Sequence, residues 1–430
     1  VLWILVAITL APARADEADT SDAAAYILQA EMALQRDDYL MAAQEYGKAA
    51  ELSDDPDVAR QAVIVGMAYG FDREALGAAK RWVKLDKKSE EARYLYALLS
   101  FRAGDLKTAR RQFSDLIKRG DEPPGDVLVA LIRNLSEKSD PEDADQLMRS
   151  LARPYPNSSQ AQYAVAAMAL RAGDNEFALK SAARAIELNP DSLESRLLYS
   201  RALLASGKPD EAIEYTARII GDDPDPDPDA RMELAIMYML VEREDDALSQ
   251  VNQVLLEQPG RMDALRLMAI INFHKGFLDA AWDDFHDLLA SGQYRMDALY
   301  YLGRISDYRG EHDRAIRFYS EVSQGSNALP SQQRAAALLI REKDDLPGAM
   351  QQLDEFAKAS PTNAVAVLVV KAQLLASVED YEDSLKLYDK ALSFKPDNEG
   401  AALSRADVLL QMGRLDEALD AFGAAAKRWP

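Results

Sequence analysis

The residues of this 430-residue chain that could do acid–base or metal chemistry are few in kind. There are three histidines, His274, His286 and His312. None stands in the HExxH spacing that sets two imidazoles on one helix face around zinc. Carboxylates are plentiful, 72 Asp and Glu against 50 Lys and Arg. Helical periodicity places most of them on faces turned to water, and nothing picks out a pair held in a cleft where proton affinities would be shifted. The absence of cysteine excludes disulfides, thiolate metal sites, a cysteine nucleophile and a lipid on an N-terminal cysteine. No GxSxG elbow, phosphate-cradling glycine loop or GxGxxG turn is present. One stretch invites a calcium reading, GDDPDPDPD at 221–229. Calcium loops fold their ligands around a sharp glycine turn, whereas alternating Asp-Pro is stiff and extended. It therefore reads as a rigid connector that also caps the next helix. The expectation is a protein that is not an enzyme and has no metal or cofactor.

The elements that would position any site are helices. In residues 296–325, Leu299, Leu302 and Ile305 line one apolar face, and Ile316, Tyr319 and Val322 line a second, at spacings of three and four. Gly310 lies between them, where a tight turn favours a residue without a Cβ. Two antiparallel helices with a short loop cannot bury their own apolar face, so copies are needed on either side. The copies are present. Arg-Met-Asp-Ala-Leu begins at Arg261 and again at Arg295. A small residue recurs as Ala42, Ala75, Ala109, Ala144, Ala178, Ala212, Ala247, Ala281, Ala315, Ala349, Ser384 and Ala418, at steps of 33 to 35. Pro156, Pro190, Pro224, Pro259, Pro361, Pro396 and Pro430 mark the repeat ends in the same register, and Gly104, Gly173, Gly207, Gly276, Gly310 and Gly413 mark the turns.

With these residues the sequence resembles the tetratricopeptide repeat (TPR) family, over residues 23–430. That family places small residues at the eighth and twentieth positions of each repeat, a large one at the twenty-fourth and often proline at the thirty-second. Gly303, Ala315 and Tyr319 fit that pattern in the ninth repeat; Ala269, Ala281 and Phe285 fit it in the eighth; Ala372, Ser384, Tyr388 and Pro396 fit it in the eleventh. The resemblance implies an all-α fold, a right-handed superhelical solenoid of about twelve helix-turn-helix repeats. The fold hosts many binding roles and leaves function open.

Residues 1–11 form an uncharged apolar run, followed by Ala13-Arg14-Ala15 and the polar Asp16-Glu17. The run is too short to span a bilayer and reads as the core and cleavage site of a signal peptide covering 1–15. Its basic N-terminal region and initiator methionine are missing, and a buried N-terminal helix is the competing reading. Cleavage after Ala15 would place the protein in the periplasm or outside the cell, without a membrane span, and with association with the outer membrane through a partner as a further option. Residues 16–22 read as a disordered acidic lead. Repeat four is irregular, with Pro141 suited to a first helical turn. At the end, Leu403, Val408 and Leu410 would present an uncovered face; solenoids cap such faces. The chain would then be a fragment, or its end would dock on something, a second copy included.

The net charge of −22 argues against a general nucleic-acid binder and disfavours anionic membrane surfaces; the plain reading is a solvated outer face. In the resembled family the first helix of each repeat lines a concave groove. Carried over position by position, the groove would hold Tyr94, Phe101, Arg102, Arg133, Tyr163, Leu170, Arg171, Arg201, Met232, Met239, Arg266, Phe273, His274, Tyr300, Arg304, Asp307, Tyr308, Arg334 and Arg341. Ile236, Leu240 and Ile270 fit core and groove equally. Arginine, aromatic residues and methionine are the types that dominate binding surfaces. A mildly positive groove in an acidic shell would draw in an extended acidic peptide or a C-terminal carboxylate. Function is thus expected to be protein or peptide binding by a scaffold of the bacterial cell envelope. Residues 300–336 are similar to periplasmic TPR adaptors of carboxy-terminal processing proteases, which present substrates to the protease. The lack of cysteine departs from their lipoprotein form. The alternative is a scaffold of an envelope polysaccharide synthesis or export complex.

Overall fold

A computed structural model describes residues 19–137 and 139–429. The signal-peptide reading of 1–15 and the terminal Pro430 lie outside them. The chain divides into two compact units, Val1–Pro224 and Asp225–Pro430. In the first unit the helices are α1 (Asp19–Leu34), α2 (Tyr39–Leu52), α3 (Pro56–Ala68), α4 (Asp72–Leu85), α5 (Glu90–Arg102), α6 (Leu106–Arg119), α7 (Pro124–Ser136), α8 (Pro141–Ala152), α9 (Ser159–Arg171), α10 (Asn175–Leu188), α11 (Leu193–Ala205) and α12 (Pro209–Gly221). The second unit holds α13 (Pro228–Leu240), α14 (Glu244–Glu257), α15 (Met262–His274), α16 (Leu278–Ser291), α17 (Arg295–Tyr308), α18 (His312–Glu321), α19 (Ala328–Lys343), α20 (Leu346–Ala359), α21 (Ala364–Ser377), α22 (Tyr381–Phe394), α23 (Glu399–Gln411) and α24 (Leu415–Arg428). Odd and even helices pair as antiparallel hairpins, and within each unit the hairpins stack in chain order. Helix α1 begins at Asp19, within the stretch 16–22 that reads from sequence as an acidic lead. Among the described residues no helix is long and apolar enough to cross a membrane.

The helices form and stop where side chains can serve their ends. Asp38, Asp105, Asp174 and Asp380 each accept a backbone N–H of the following helix, as N-caps do. Pro141 opens α8 with Asp140 as its cap. Asp227, from the Asp-Pro stretch, accepts the Asp229 N–H and caps α13, with Pro228 in the first turn. Among the described residues, most turns inside a hairpin carry one left-handed residue. It recurs at Asp37, Gly70, Gly104, Gly173, Gly207, Glu242, Gly276, Gly310, Asp344, Glu379 and Gly413, with φ between 52° and 81°.

The core is built from the recurring small residues. All twelve, from Ala42 to Ala418, are at most 2% exposed. They let paired helices approach closely, and larger neighbours such as Phe113, Phe285 and Tyr388 fill the remaining space. Gly303 shows how close that approach is: a Cβ there would lie 2.7 Å from the Tyr319 ring. Neighbouring hairpins are also tied at the surface. Lys275 pairs with Asp245, Arg309 with Asp279 and Lys343 with Asp313, each step advancing by 34 residues. One position earlier in the repeat, Arg102 and Asp72 make a contact at 3.7 Å in the first unit, matched by His274 and Glu244 in the second.

Candidate functional site

The first helices of the second unit bring one group of the expected groove residues together. Tyr300, Arg304 and Tyr308 stand four apart on α17 and so share a face. Phe273 reaches them from the end of α15. The Arg304 guanidinium lies 4.5 Å from the ring centre of Phe273, 5.6 Å from Tyr300 and 5.8 Å from Tyr301. The rings brace one another: Phe273 meets Tyr301 edge-on at 5.2 Å, and Tyr301 stacks on Phe285 at 4.7 Å. Burial pushes the Tyr301 and Tyr319 phenols above their ordinary range, so both stay neutral. Three aromatic faces stabilise the guanidinium charge without neutralising it. Among the described residues no carboxylate lies within ion-pair distance of Arg304. Tyr308, 81% exposed, stands one turn further on.

The other cations of this face are already engaged. Arg266 pairs with Asp297 and lies 5.3 Å from the Tyr294 ring centre. Arg334 donates two hydrogen bonds to Asp307, at 2.5 and 2.9 Å, so Asp307 adds no net negative charge beside Arg304. Arg341 pairs with Glu342. His274 Nδ1 is 3.8 Å from Glu244. The face therefore has one unpaired, ring-supported cation in a surround of matched charges. It can receive an anionic group while the rings and Tyr308 cover the apolar part of a ligand.

Several expected groove residues are elsewhere. Phe101, 3% exposed, belongs to the core of the first unit with Phe113 and Leu131, so it cannot reach a ligand. Met232, 7% exposed, is likewise interior. Tyr94 is half-buried, edge-on to Phe113 at 5.9 Å, and Tyr163 packs beside Leu198. Arg102 serves the Asp72 pair, and Arg133 lies 3.6 Å from Glu137. Arg171 donates to the Ser136 carbonyl at 2.7 Å, a structural contact between hairpins. Arg201 is exposed on α11, Leu170 is half-buried, and Met239 is half-buried on α13. Ile236 and Leu240 resolve toward the surface, at 43% and 64% exposed, while Ile270 packs partly into the core. At the far end Leu403 and Leu410 are exposed, but Val408 is buried. Sequence reasoning missed Tyr301. Its position three before Arg304 on one helix was the available signal.

A family model described as a tetratricopeptide repeat matches residues 169–228, 204–271 and 375–428. A TPR repeat-containing protein of Pseudomonas aeruginosa is 26% identical over 381 residues, covering 86% of this chain. The chain spans 62% of the length of that curated relative. Among solved structures, yeast Tom70 is similar with 15% identity and a TM-score of 0.41, over 94% of this chain and 95% of that one. The human IFIT1 dimer with m7Gppp-AAAA is similar with 15% identity and a TM-score of 0.45, over 87% of this chain and 90% of that one. Neither likeness bears on function. The 34-residue helix pairs, their buried small residues and the matched stretches agree: residues 169–271 and 375–428 match the tetratricopeptide repeat, and the helix pairs on either side follow the same pattern.

Proposed function

We propose that this protein is a non-enzymatic scaffold that holds a segment of a partner protein against the first-helix face of α15, α17 and α19. Arg304 receives a carboxylate of that segment, either an acidic side chain or a free C-terminus. The observation that carries this reading is the unpaired guanidinium set among Phe273, Tyr300 and Tyr301 beside the exposed Tyr308. An arginine pre-oriented in this way binds a planar anion at a small entropic cost. The site of action in this reading is the bacterial cell envelope, supported by the signal-like run at 1–15. The role is that of an adaptor presenting substrates to a carboxy-terminal processing protease, supported by the likeness of residues 300–336.

The test is cross-linking and affinity capture from intact envelopes, comparing the wild type with a Tyr300→Ala, Arg304→Ala, Tyr308→Ala triple variant whose folding is verified by circular dichroism. The proposal predicts a processing protease and hydrolase substrates among the captured proteins, with the substrates lost from the variant. Equal recovery of partners by both proteins would place binding on another face. Recovery of polysaccharide synthesis or export components instead would replace the adaptor role with the alternative one.

A further inference from the structure

The acidic total conceals a basic region in the first unit. Residues 72–119 hold thirteen Lys and Arg against seven Asp and Glu, a net of +6 in a chain of net −22. The charges concentrate on second helices. On α6, Lys107, Arg111, Ser114 and Lys118 follow one another at steps of three and four, which makes a single stripe. Arg110 flanks it. The stripe lines a hollow of about 640 Å³, closed on its far side by Ser150 of α8. Two acids share the hollow, Asp105 and Asp115. Asp105 is occupied at the N-cap, accepting the Thr108 N–H at 2.9 Å. Most exposed arginines of the second unit pair with a carboxylate. Among the described residues, Lys107, Arg110, Arg111 and Lys118 have none within ion-pair distance, and all four are exposed.

We propose that this hollow is a second binding site, for an extended acidic segment of a partner protein with carboxylates at alternate positions. The geometry rests on two repeats. Residues four apart on a helix advance about 6 Å. Alternate residues of an extended chain, which point the same way, advance about 6.7 Å. Carboxylates at successive alternate positions would therefore meet Lys107 and Arg111; Lys118, seven residues and about 10.5 Å beyond Arg111, would meet one further along the segment. The Ser114 hydroxyl faces the same ligand, whereas Ser150 Oγ already donates to the Leu147 carbonyl at 2.7 Å. A concave, hydroxyl-lined trough suits an inserted chain better than a flat anionic surface. The chain's own Asp-Pro stretch is not the occupant, because Asp227 caps α13 and Asp229 is ion-paired with Arg261. The site is independent of the Arg304 face.

The experiment uses two fluorescent ten-residue peptides, acetylated and amidated so that no terminal charge contributes. One alternates Glu and Ser five times; the other carries five Glu followed by five Ser. Binding to the full chain is measured by anisotropy. The alternating peptide should bind at least fivefold more tightly than the block peptide. An Arg111→Gln, Lys118→Gln variant should lose at least tenfold, as should an Arg110→Gln, Lys118→Gln variant as a second check. Equal affinity for the two peptides would mean undirected attraction and would overturn the proposal. So would undiminished binding by both glutamine variants, or variant-sensitive binding to phosphatidylglycerol vesicles with none to the peptides.

Discussion

At the scale of single residues, many charges of this protein tie hairpins together or cap helices, and their energetic worth depends on burial. Exposed pairs such as Arg60–Glu91 contribute little, typically under about 1 kcal/mol, because water screens them. Asp284 is different. It is half-buried on α16, accepts a hydrogen bond from Asn272 at 2.9 Å, and is raised above its ordinary carboxylate range, chiefly by burial and further by Asp287 and Asp283. The folded state thus holds the Asp284 proton more tightly than the unfolded state. Its contribution favours folding below the ordinary carboxylate pKa and is lost as pH rises through the raised value. An Asp284→Asn variant should match the wild type near about pH 3 and become the more stable protein between about pH 4 and about pH 7. Urea unfolding across that range is the measurement; parallel pH profiles would contradict the assignment. Among the groove residues, two that proved structural have their partners in the preceding hairpin. Arg102 with Asp72, and Arg334 with Asp307, are separated by 30 and 27 residues. Such pairings depend on how hairpins stack, which a one-dimensional spacing does not show.

At the scale of the helix pair, the governing feature is the small residue where two helices cross. Ala281 is fully buried against Ala269, Phe285 and Leu302. Replacing it with leucine would add three carbons where there is no space, at a cost of about 1–3 kcal/mol. A lower midpoint in urea unfolding is expected; an unchanged midpoint would mean that the crossing lies elsewhere. This level was highly legible from sequence, because the same physical demand recurs every 34 residues and Ala42 through Ala418 all answer it. The left-handed turn was half legible. Gly104 and Gly310 announce it, whereas Glu242, Asp344 and Glu379 adopt the same conformation without a glycine to mark it. The surface ladder through Lys275, Arg309 and Lys343 was hidden, since charged residues at a 34-residue spacing are not distinguishable from solvated ones until the hairpins are stacked.

At the scale of the whole molecule, net charge describes the chain poorly. A total of −22 excludes little locally when residues 72–119 carry +6 and one face of α17 holds an unpaired arginine. Within a Debye length of about 8 Å at physiological salt, a ligand responds to the nearest charges and not to the sum. The candidate site was therefore legible in part. Tyr300, Arg304, Tyr308 and Phe273 follow from the repeat register, while the absence of a carboxylate partner for Arg304, which sets it apart from Arg266, Arg334 and Arg341, needed three dimensions. The central claim is that this guanidinium receives a carboxylate. Isothermal calorimetry with envelope-derived peptides in free-acid and C-terminal amide forms tests it most directly, using wild type beside Arg304→Gln. The account predicts at least tenfold tighter binding of the free acid to the wild type, with the two forms equal in the variant. Equal binding of acid and amide by the wild type, for peptides without acidic side chains, would contradict it.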